Sequence, residues 1–211
     1  LGSFGLASFF SMYFGHHLST IEGGFINTDD EDFYHLLLMM RSHGWDRDLP
    51  REKQKKLREQ HGCNDFDALY NFYVPGMNLR STDLQAFIGL RAIDKLDRYA
   101  QQRNNNFEYY KEKLKANYLE LEEKPGDYVS SFAIPIVHSC RDDIIKDLID
   151  ADIEVRPLIA GNMANKPMWK GSKSGLDNCE LLEAQGFYIP NHQDLTKKDM
   201  NLVIDIINKY E

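Results

Sequence analysis

The chain has 211 residues, a formal net charge of −8 and a hydrophobic fraction of 42%. This composition is typical of a soluble globular protein, and no apolar run approaches the roughly 18 residues that a membrane span needs. An acidic chain repels the phosphate backbone of nucleic acids, so neither a nucleic-acid nor a membrane partner is expected, although a local basic pocket could hold a small anionic ligand.

Three cysteines, Cys63, Cys140 and Cys179, lie far apart and show no CxxC pattern. They are too few for a disulfide scaffold or a zinc knuckle, so we expect reduced thiols and a cytoplasmic location. The N-terminal run LGSFG has no initiator Met and no targeting pattern, which we interpret as the interior of a longer chain.

The first residues predict a β-turn-β-α unit. Residues 4–14 are apolar and aromatic with small residues between them, which favours short buried strands. Gly23-Gly24 permits a sharp turn, and residues 25–28 predict a returning strand. Thr28 or Asp29 can cap a helix over about residues 30–42.

The middle of the chain contains a charged segment followed by a predicted long helix. Residues 45–75 are charged, and their basic run at 51–58 is more typical of a solvated loop or short helix than of an anion-binding patch. Thr82 then lies at capping-box spacing from Gln85, which predicts the start of a helix. Apolar residues recur at helical intervals to about residue 116, so we predict one long helix. The weak helix formers at 104–106 could bend it.

Beyond Pro125-Gly126 the pattern predicts strand, helix, strand, short helix, strand and a last helix that Thr196 can cap. These elements form a small α/β domain. We therefore predict three parts: the end of a larger domain at residues 1–80, a long bridging helix at 81–124, and the small C-terminal domain at 125–211.

The histidine doublet His16-His17 is weak evidence when taken alone. Adjacent side chains in a strand point to opposite faces, so the two rings cannot simply share a ligand. A metal site would need further ligands at suitable spacing, and none accompanies the doublet, so no metal site is predicted. A packed core histidine is the default alternative.

The residues around the doublet form a recognisable frame. Ser11 precedes His16 by five residues, and Ser19-Thr20 and Glu22-Gly23-Gly24 follow. This frame resembles the active-site strand of the DegT/StrS-type nucleotide-sugar aminotransferases, which are pyridoxal-phosphate (PLP) enzymes. The stretch PGMNLRSTDLQA at residues 75–86 resembles a second motif of that family, and shorter matches lie at residues 41–44 and 154–157.

The resemblance implies an α/β protein with the type I, aspartate aminotransferase-like PLP fold. Residues 1–80 would be the C-terminal part of the large PLP-binding domain, and the chain as a whole would be the C-terminal half or so of a family member. We therefore expect it to be inactive by itself.

At the position where the family has the lysine that holds the cofactor as a Schiff base, this chain has His16. No lysine lies nearby, because the first one in the chain is Lys53. Imidazole cannot form a stable Schiff base with the cofactor aldehyde, but it can move protons near neutral pH. The cofactor would then act as non-covalently held pyridoxamine phosphate (PMP).

Histidine at this position marks the family's 3-dehydratases of 4-keto-6-deoxy nucleotide sugars, so the resemblance implies C-3 deoxygenation. One branch acts on a CDP sugar with an iron–sulfur cluster, which four thiolates usually hold; residues 45–75 offer Cys63 alone, so no cluster is expected. The other branch acts on GDP-4-keto-6-deoxymannose in colitose biosynthesis for O-antigen lipopolysaccharide, and it regenerates PMP with L-glutamate. We favour this branch.

Two alternatives stay open. A nucleotide-sugar aminotransferase could recruit a distant lysine, and a non-catalytic binding protein could keep the family fold without turnover.

Residue roles follow from the motif matches. His16 is the expected general base and acid. Ser11 and Asn78 match residues that contact the cofactor phosphate, and Asn78 matches one that reaches it from the neighbouring subunit, which implies a homodimer with composite sites. The expected partners are the nucleotide sugar and L-glutamate.

The remaining candidates are substrate-binding residues. Arg80 and Arg156 could meet the diphosphate or the glutamate carboxylate, or else form surface salt bridges. His43, Asn162 and His192 are further candidates near the site, although each also suits a turn or a helix end.

Overall fold

The computed structural model describes residues 2–116, 126, 128–169 and 175–211. The chain divides into two compact units, Leu1–Asp94 and Lys95–Glu211. Each unit is described by itself below. The domain boundaries at residues 80 and 124 remain predictions.

The first unit begins with an antiparallel ribbon of two strands, β1 (Ser8–Ser11) and β2 (Gly24–Asn27). Ser8 pairs with Asn27 and Ser11 with Gly24. The strands are where the sequence predicts them, but the prediction that the strand within residues 4–14 is buried is wrong, because Phe9 is 70% exposed and Phe10 40%. A two-stranded ribbon has no further strand or layer of its own to cover its faces.

Helix α1 (Glu31–Met40) follows the ribbon. Its cap is Asp30, whose Oδ1 accepts the Phe33 N–H at 2.7 Å. The predicted caps are therefore wrong by one or two positions, since Thr28 Oγ1 instead accepts the N–H of Asp30 at 3.1 Å. The basic run forms α2 (Arg51–Gln60), which buries no residue and is thus the solvated short helix that its charge predicts. A single 3₁₀ turn spans Asp67–Tyr70.

The predicted long helix is two helices, α3 (Asp83–Ile93) and α4 (Leu96–Lys113). The break contains neither Gly nor Pro, so neither propensity nor periodicity marks it. The three asparagines instead lie inside α4, where Asn106 is buried and donates to the His192 carbonyl at 2.8 Å. This tertiary contact offsets their weak propensity. The last part of the predicted bridging segment, residues 117–124, lies outside the described residues.

The second unit contains α4 and a three-stranded antiparallel sheet, in which β5 (Gly186–Pro190) lies between β3 (Ala133–Val137) and β4 (Arg156–Pro157). Its further elements are α5 (Arg141–Asp150), α6 (Asp177–Gln185) and α7 (Lys197–Ile207), and most of the elements of this unit lie where the sequence predicts them. The capping box that Thr196 forms with Asp199 confirms the predicted start of α7.

The core of the second unit lies between this sheet and its helices. Strand β3 buries alternate residues, Ile134 and Ile136, as a half-buried strand does. They pack with α4, α5, β5 and α7 through Phe107, Tyr110, Ile144, Leu148, Phe187, Val203 and Ile207. Burial raises the pKa of the Tyr110 hydroxyl. No helix in the described part of the chain is long and apolar enough to cross a membrane.

Candidate active site

His16 lies in a closed loop, Met12–Gly23, between the two strands of the ribbon. The Met12 N–H donates to the Gly23 carbonyl at 2.9 Å, and the Thr20 N–H donates to the Met12 carbonyl at 2.9 Å. These bonds close the base of the loop. The His16 side chain is exposed and stands edge-on to the Tyr13 ring, with 6.1 Å between centroids. Its exposure argues against a packed core histidine.

The far side of the loop adopts an unusual backbone. Ile21 has φ 73°, a left-handed conformation that costs a residue with a Cβ about 1–2 kcal/mol. Side chains satisfy the polar groups around it: Ser19 Oγ accepts the Ile21 N–H at 3.1 Å, and Thr20 Oγ1 donates to the Glu22 carbonyl at 2.9 Å. A Cβ on Gly23 would lie 2.7 Å from Thr20 Oγ1, so this turn requires glycine.

Ser11 ends β1 at the mouth of this loop. Its Oγ accepts the Tyr13 N–H at 3.3 Å. An oxygen used as an acceptor keeps its proton for donation, so this exposed hydroxyl can donate to an anion such as a phosphate group. The donor at Ser11 therefore fits the phosphate of the cofactor that the resemblance implies.

Asn78 is held beside the end of α1. The His43 N–H donates to the Met77 carbonyl at 2.8 Å and the Leu79 N–H to the Arg41 carbonyl at 2.9 Å, so Asn78 lies opposite Ser42 in a β-bridge. The Asn78 side chain is exposed, as is that of Arg80 two residues later. The structure thus brings His43 and Asn78 together on neighbouring segments.

Two glycines make this approach possible. Gly44 has φ 93°, and a Cβ on it would lie 1.9 Å from the Val74 carbonyl oxygen. A Cβ on Gly76 would lie 2.2 Å from the Gly44 nitrogen. No larger residue fits at either position, which explains why both motifs contain glycine.

The residues after Gly44 form contacts that the sequence did not reveal. The guanidinium of Arg47 lies 3.7 Å from the centroid of the Trp45 ring, and Trp45 stacks on Phe72 at 5.6 Å. Asp46 is fully buried and accepts from Arg58 Nε at 2.7 Å, a hydrogen bond that raises the pKa of Arg58. In the sequence, the only sign of this ion pair is an acidic residue next to a tryptophan. Its partner, Arg58, lies 12 residues away.

The other three predicted site residues belong to the second unit. Arg156 is exposed and pairs with Glu154, its Nε donating at 2.9 Å, which matches the surface salt-bridge alternative. Asn162 is 1% exposed, and both ends of its amide are engaged: Oδ1 accepts the Ala164 N–H at 3.0 Å and Nδ2 donates to Glu180 at 2.8 Å. Asn162 thus caps a short 3₁₀ helix, Met163–Asn165, and its substrate role stays a prediction.

His192 lies in the turn after β5. Its Nδ1 accepts the Asp194 N–H at 3.3 Å, and its Nε2 lies 2.9 Å from Gln193 Nε2. His192 is exposed, and its contact with the nucleotide sugar remains a prediction.

The carboxylate of Glu183 makes the stability of the fold depend on pH. It accepts hydrogen bonds from Lys166 Nζ at 2.9 Å and from the Asn162 N–H at 2.9 Å. These bonds, of which the one from Lys166 has the largest effect, hold the pKa of Glu183 below its usual value of 4.5. Such a group stabilises the fold above its unfolded pKa, and its contribution is lost as the pH falls through the lower folded pKa.

We therefore expect the free energy of unfolding to fall as the pH drops below about 4.5, and to fall less steeply in Glu183→Gln. Urea unfolding at a series of pH values measures this. Equal acid sensitivity in the parent and the variant would contradict the assignment.

Within residues 2–116, 126, 128–169 and 175–211, no group of three or more His, Cys, Asp or Glu side chains could hold a metal ion.

Comparison with known proteins identifies the family. The model of the DegT/DnrJ/EryC1/StrS aminotransferase family matches residues 1–208. The chain belongs to this family. It is 36% identical over 202 residues to a GDP-4-keto-6-deoxy-D-mannose 3-dehydratase of Escherichia coli O55:H7, a match that covers 91% of this chain and 52% of that enzyme. The enzyme of the same name from Yersinia pseudotuberculosis is 33% identical over 212 residues, covering 95% of this chain and 53% of the enzyme.

A solved structure shows the same relationship. A crystal structure of GDP-4-keto-6-deoxymannose-3-dehydratase with a trapped PLP–glutamate geminal diamine superposes with a TM-score of 0.83 at 31% identity, covering 98% of this chain and 56% of that one. The predicted PLP-dependent aminotransferase fold is thus confirmed, as is the resemblance to the 3-dehydratases. The chain spans about half the length of the curated relatives that it matches.

Proposed function

We propose that the protein containing this chain is a PLP- and PMP-dependent 3-dehydratase that removes the C-3 hydroxyl of GDP-4-keto-6-deoxymannose, with L-glutamate regenerating PMP. The observation that carries the proposal is His16, an exposed imidazole in a closed loop at the position of the family's lysine. The similarity to enzymes named for this dehydration supports it.

The residues of the first unit suit the cofactor. Ser11 of one subunit and Asn78 of its neighbour would hold the phosphate, in a homodimer with composite sites. When bound, the cofactor supplies an electron sink that makes cleavage of a neighbouring C–H bond possible. No iron–sulfur cluster is part of this proposal, because Cys63 is the only thiol in the segment that would carry it.

His16 would move the protons of the reaction. A neutral imidazole nitrogen takes a proton from carbon, and the same nitrogen returns it to the departing C-3 oxygen, which leaves as water. The site needs no second base for these two transfers. Because the ring is exposed and stands in a loop closed by backbone hydrogen bonds, it can face a ligand while its backbone stays fixed.

Arginines would bind the anionic groups. Arg80 is exposed and could contact the diphosphate or the glutamate carboxylate, whereas Arg156 would have to exchange its bond with Glu154. His43, Asn162 and His192 are proposed to lie near the nucleotide sugar. Membrane and nucleic-acid partners play no part in this cytoplasmic reaction.

A recruited lysine is the feature that an aminotransferase would need, and Lys53 is a poor candidate. Its Nζ lies 3.3 Å from Glu31 and 3.5 Å from Asp32, and the hydrogen bond with Glu31 raises the pKa of Lys53. A lysine nucleophile requires a lowered pKa. The contacts of Lys53 therefore argue against Lys53 as the lysine that an aminotransferase would need.

The decisive experiment supplies the full-length protein with PMP, L-glutamate and GDP-4-keto-6-deoxymannose. Mass spectrometry should detect a 3-deoxy-4-keto sugar, and for each turnover one glutamate should be converted to its 2-oxo acid and one ammonia released, because the amine that glutamate returns to the cofactor is lost when the 4-keto group is restored. The CDP- and dTDP-linked sugars serve as controls for the nucleotide. A 4-amino sugar would indicate an aminotransferase, and ligand binding without any product would indicate a binding protein.

A further inference from the structure

Gln85 connects two parts of the first unit through one side chain. Its Oε1 accepts the Thr82 N–H at 2.8 Å and completes the capping box that starts α3. Its Nε2 donates to the carbonyl of Glu22 at 2.6 Å, across a separation of 63 residues. Glu22 belongs to the loop that carries His16. One amide therefore both starts α3 and holds this loop.

Gly89 provides a second contact between α3 and the loop. A Cβ on Gly89 would lie 3.2 Å from Thr20 Cγ2 and 3.7 Å from Met12 Cε. Residues four apart lie on one face of a helix, so Gln85 and Gly89 present the same face of α3 to the loop. Thr20 is only 3% exposed, and its hydroxyl donates to the same Glu22 carbonyl.

The loop contains a residue with an unfavourable backbone conformation. Ile21, next to Glu22, holds a left-handed φ of 73°, which a β-branched residue rarely adopts. Strained backbone persists only where surrounding contacts fix it. The Glu22 carbonyl receives two such contacts, from Thr20 within the loop and from Gln85 outside it.

We propose that Gln85 is a positioning residue for the reaction: through the Glu22 carbonyl it fixes the loop that carries His16 and so sets the direction of the His16 imidazole. This inference rests on the proposed function. Asn78 and Arg80 come just before α3, so the same side chain keeps the segment that carries them in register with His16. A displacement of about 1 Å in a catalytic group can lower the rate by about 10²-fold.

The substitution Gln85→Glu separates the two roles of this side chain. Glutamate at the third helical position is a usual partner in a capping box, so the start of α3 is kept. An ionised carboxylate cannot donate to a carbonyl, so the bond to Glu22 is lost. Thr82→Ala is the matched control, because it removes the cap and leaves the amide donor in place.

In the full-length holoenzyme, Gln85→Glu should leave the thermal unfolding midpoint near that of the parent. The KM for the nucleotide sugar should stay within about twofold, while kcat falls by about tenfold or more. Thr82→Ala should lower the unfolding midpoint and keep kcat. A parental kcat in Gln85→Glu, or an equal loss of kcat in Thr82→Ala, would overturn the proposal.

A second readout does not depend on turnover. In protein with ¹³C-labelled histidine rings, Gln85→Glu should move the NMR signal of His16 and leave that of His138, in the other unit, in place. If the parent converts no nucleotide sugar but the His16 signal responds, the proposed function is wrong and the coupling stands. If an active enzyme shows neither a moved signal nor a lower kcat, the coupling is wrong.

Discussion

His16→Asn is expected to lower kcat for dehydration by about 10²–10⁴-fold, the usual contribution of a general acid–base group. Asparagine has a similar size and keeps hydrogen-bonding capacity, but it cannot accept a proton near neutral pH. Because His16 is exposed and the hydrogen bonds that close its loop are between backbone groups, folding should be preserved. Steady-state kinetics with the GDP-linked sugar should show a lower kcat with little change in KM.

His16→Lys tests the same assignment by a measurement that does not depend on turnover. The lysine should bind PLP covalently, and borohydride reduction should fix the cofactor to the protein, as mass spectrometry would show. The parent should lose its cofactor under the same treatment. His17→Asn is the control for the doublet and should retain most of the rate. Unchanged dehydration in both His16 variants would remove His16 from the mechanism.

Gly44→Ala is expected to lower the free energy of unfolding by about 3 kcal/mol or more. Two costs add: alanine in a left-handed conformation, since φ is 93°, and a methyl group placed 1.9 Å from the Val74 carbonyl oxygen. The Val74 carbonyl cannot move aside locally, as the end of a flexible side chain could. The segment after Val74 must therefore shift, and it carries Asn78, so affinity for PLP should fall as well.

Gly62→Ala is the matched control for Gly44→Ala. Gly62 also has a positive φ, 60°, but a Cβ there would meet nothing within 4 Å. Only the conformational cost of about 1 kcal/mol should appear, without any change in PLP affinity. Urea unfolding and a PLP titration of the full-length protein measure both effects. Equal losses in the two variants would show that the contact with Val74 is unimportant.

Local sequence signals predicted much of the fold because their partners lie close along the chain. The predicted capping box at Thr82 and the predicted cap at Thr196 are both confirmed, since each joins residues three apart. The two strands on either side of the His16 loop also lie where the sequence predicts them. Where competing local partners exist, as at Thr28 and Asp30, the prediction misses the cap.

Interactions between distant residues escaped prediction. The ion pair of buried Asp46 with Arg58 and the hydrogen bond from Gln85 to Glu22 both join segments whose separation is set by packing. The break between α3 and α4 also escaped prediction, because no helix-breaking residue marks it.

The sequence by itself determined that His16 lies in a frame that resembles the family's active-site strand, at the place where that frame has lysine, and that residues 1–52 contain no lysine, because residue identity within a motif requires no coordinates. Only the tertiary structure decided how the His16 loop is held. Every residue has a backbone carbonyl oxygen, so residue identity does not show which one accepts from Gln85. The packing of α3 against the loop makes Glu22 the acceptor.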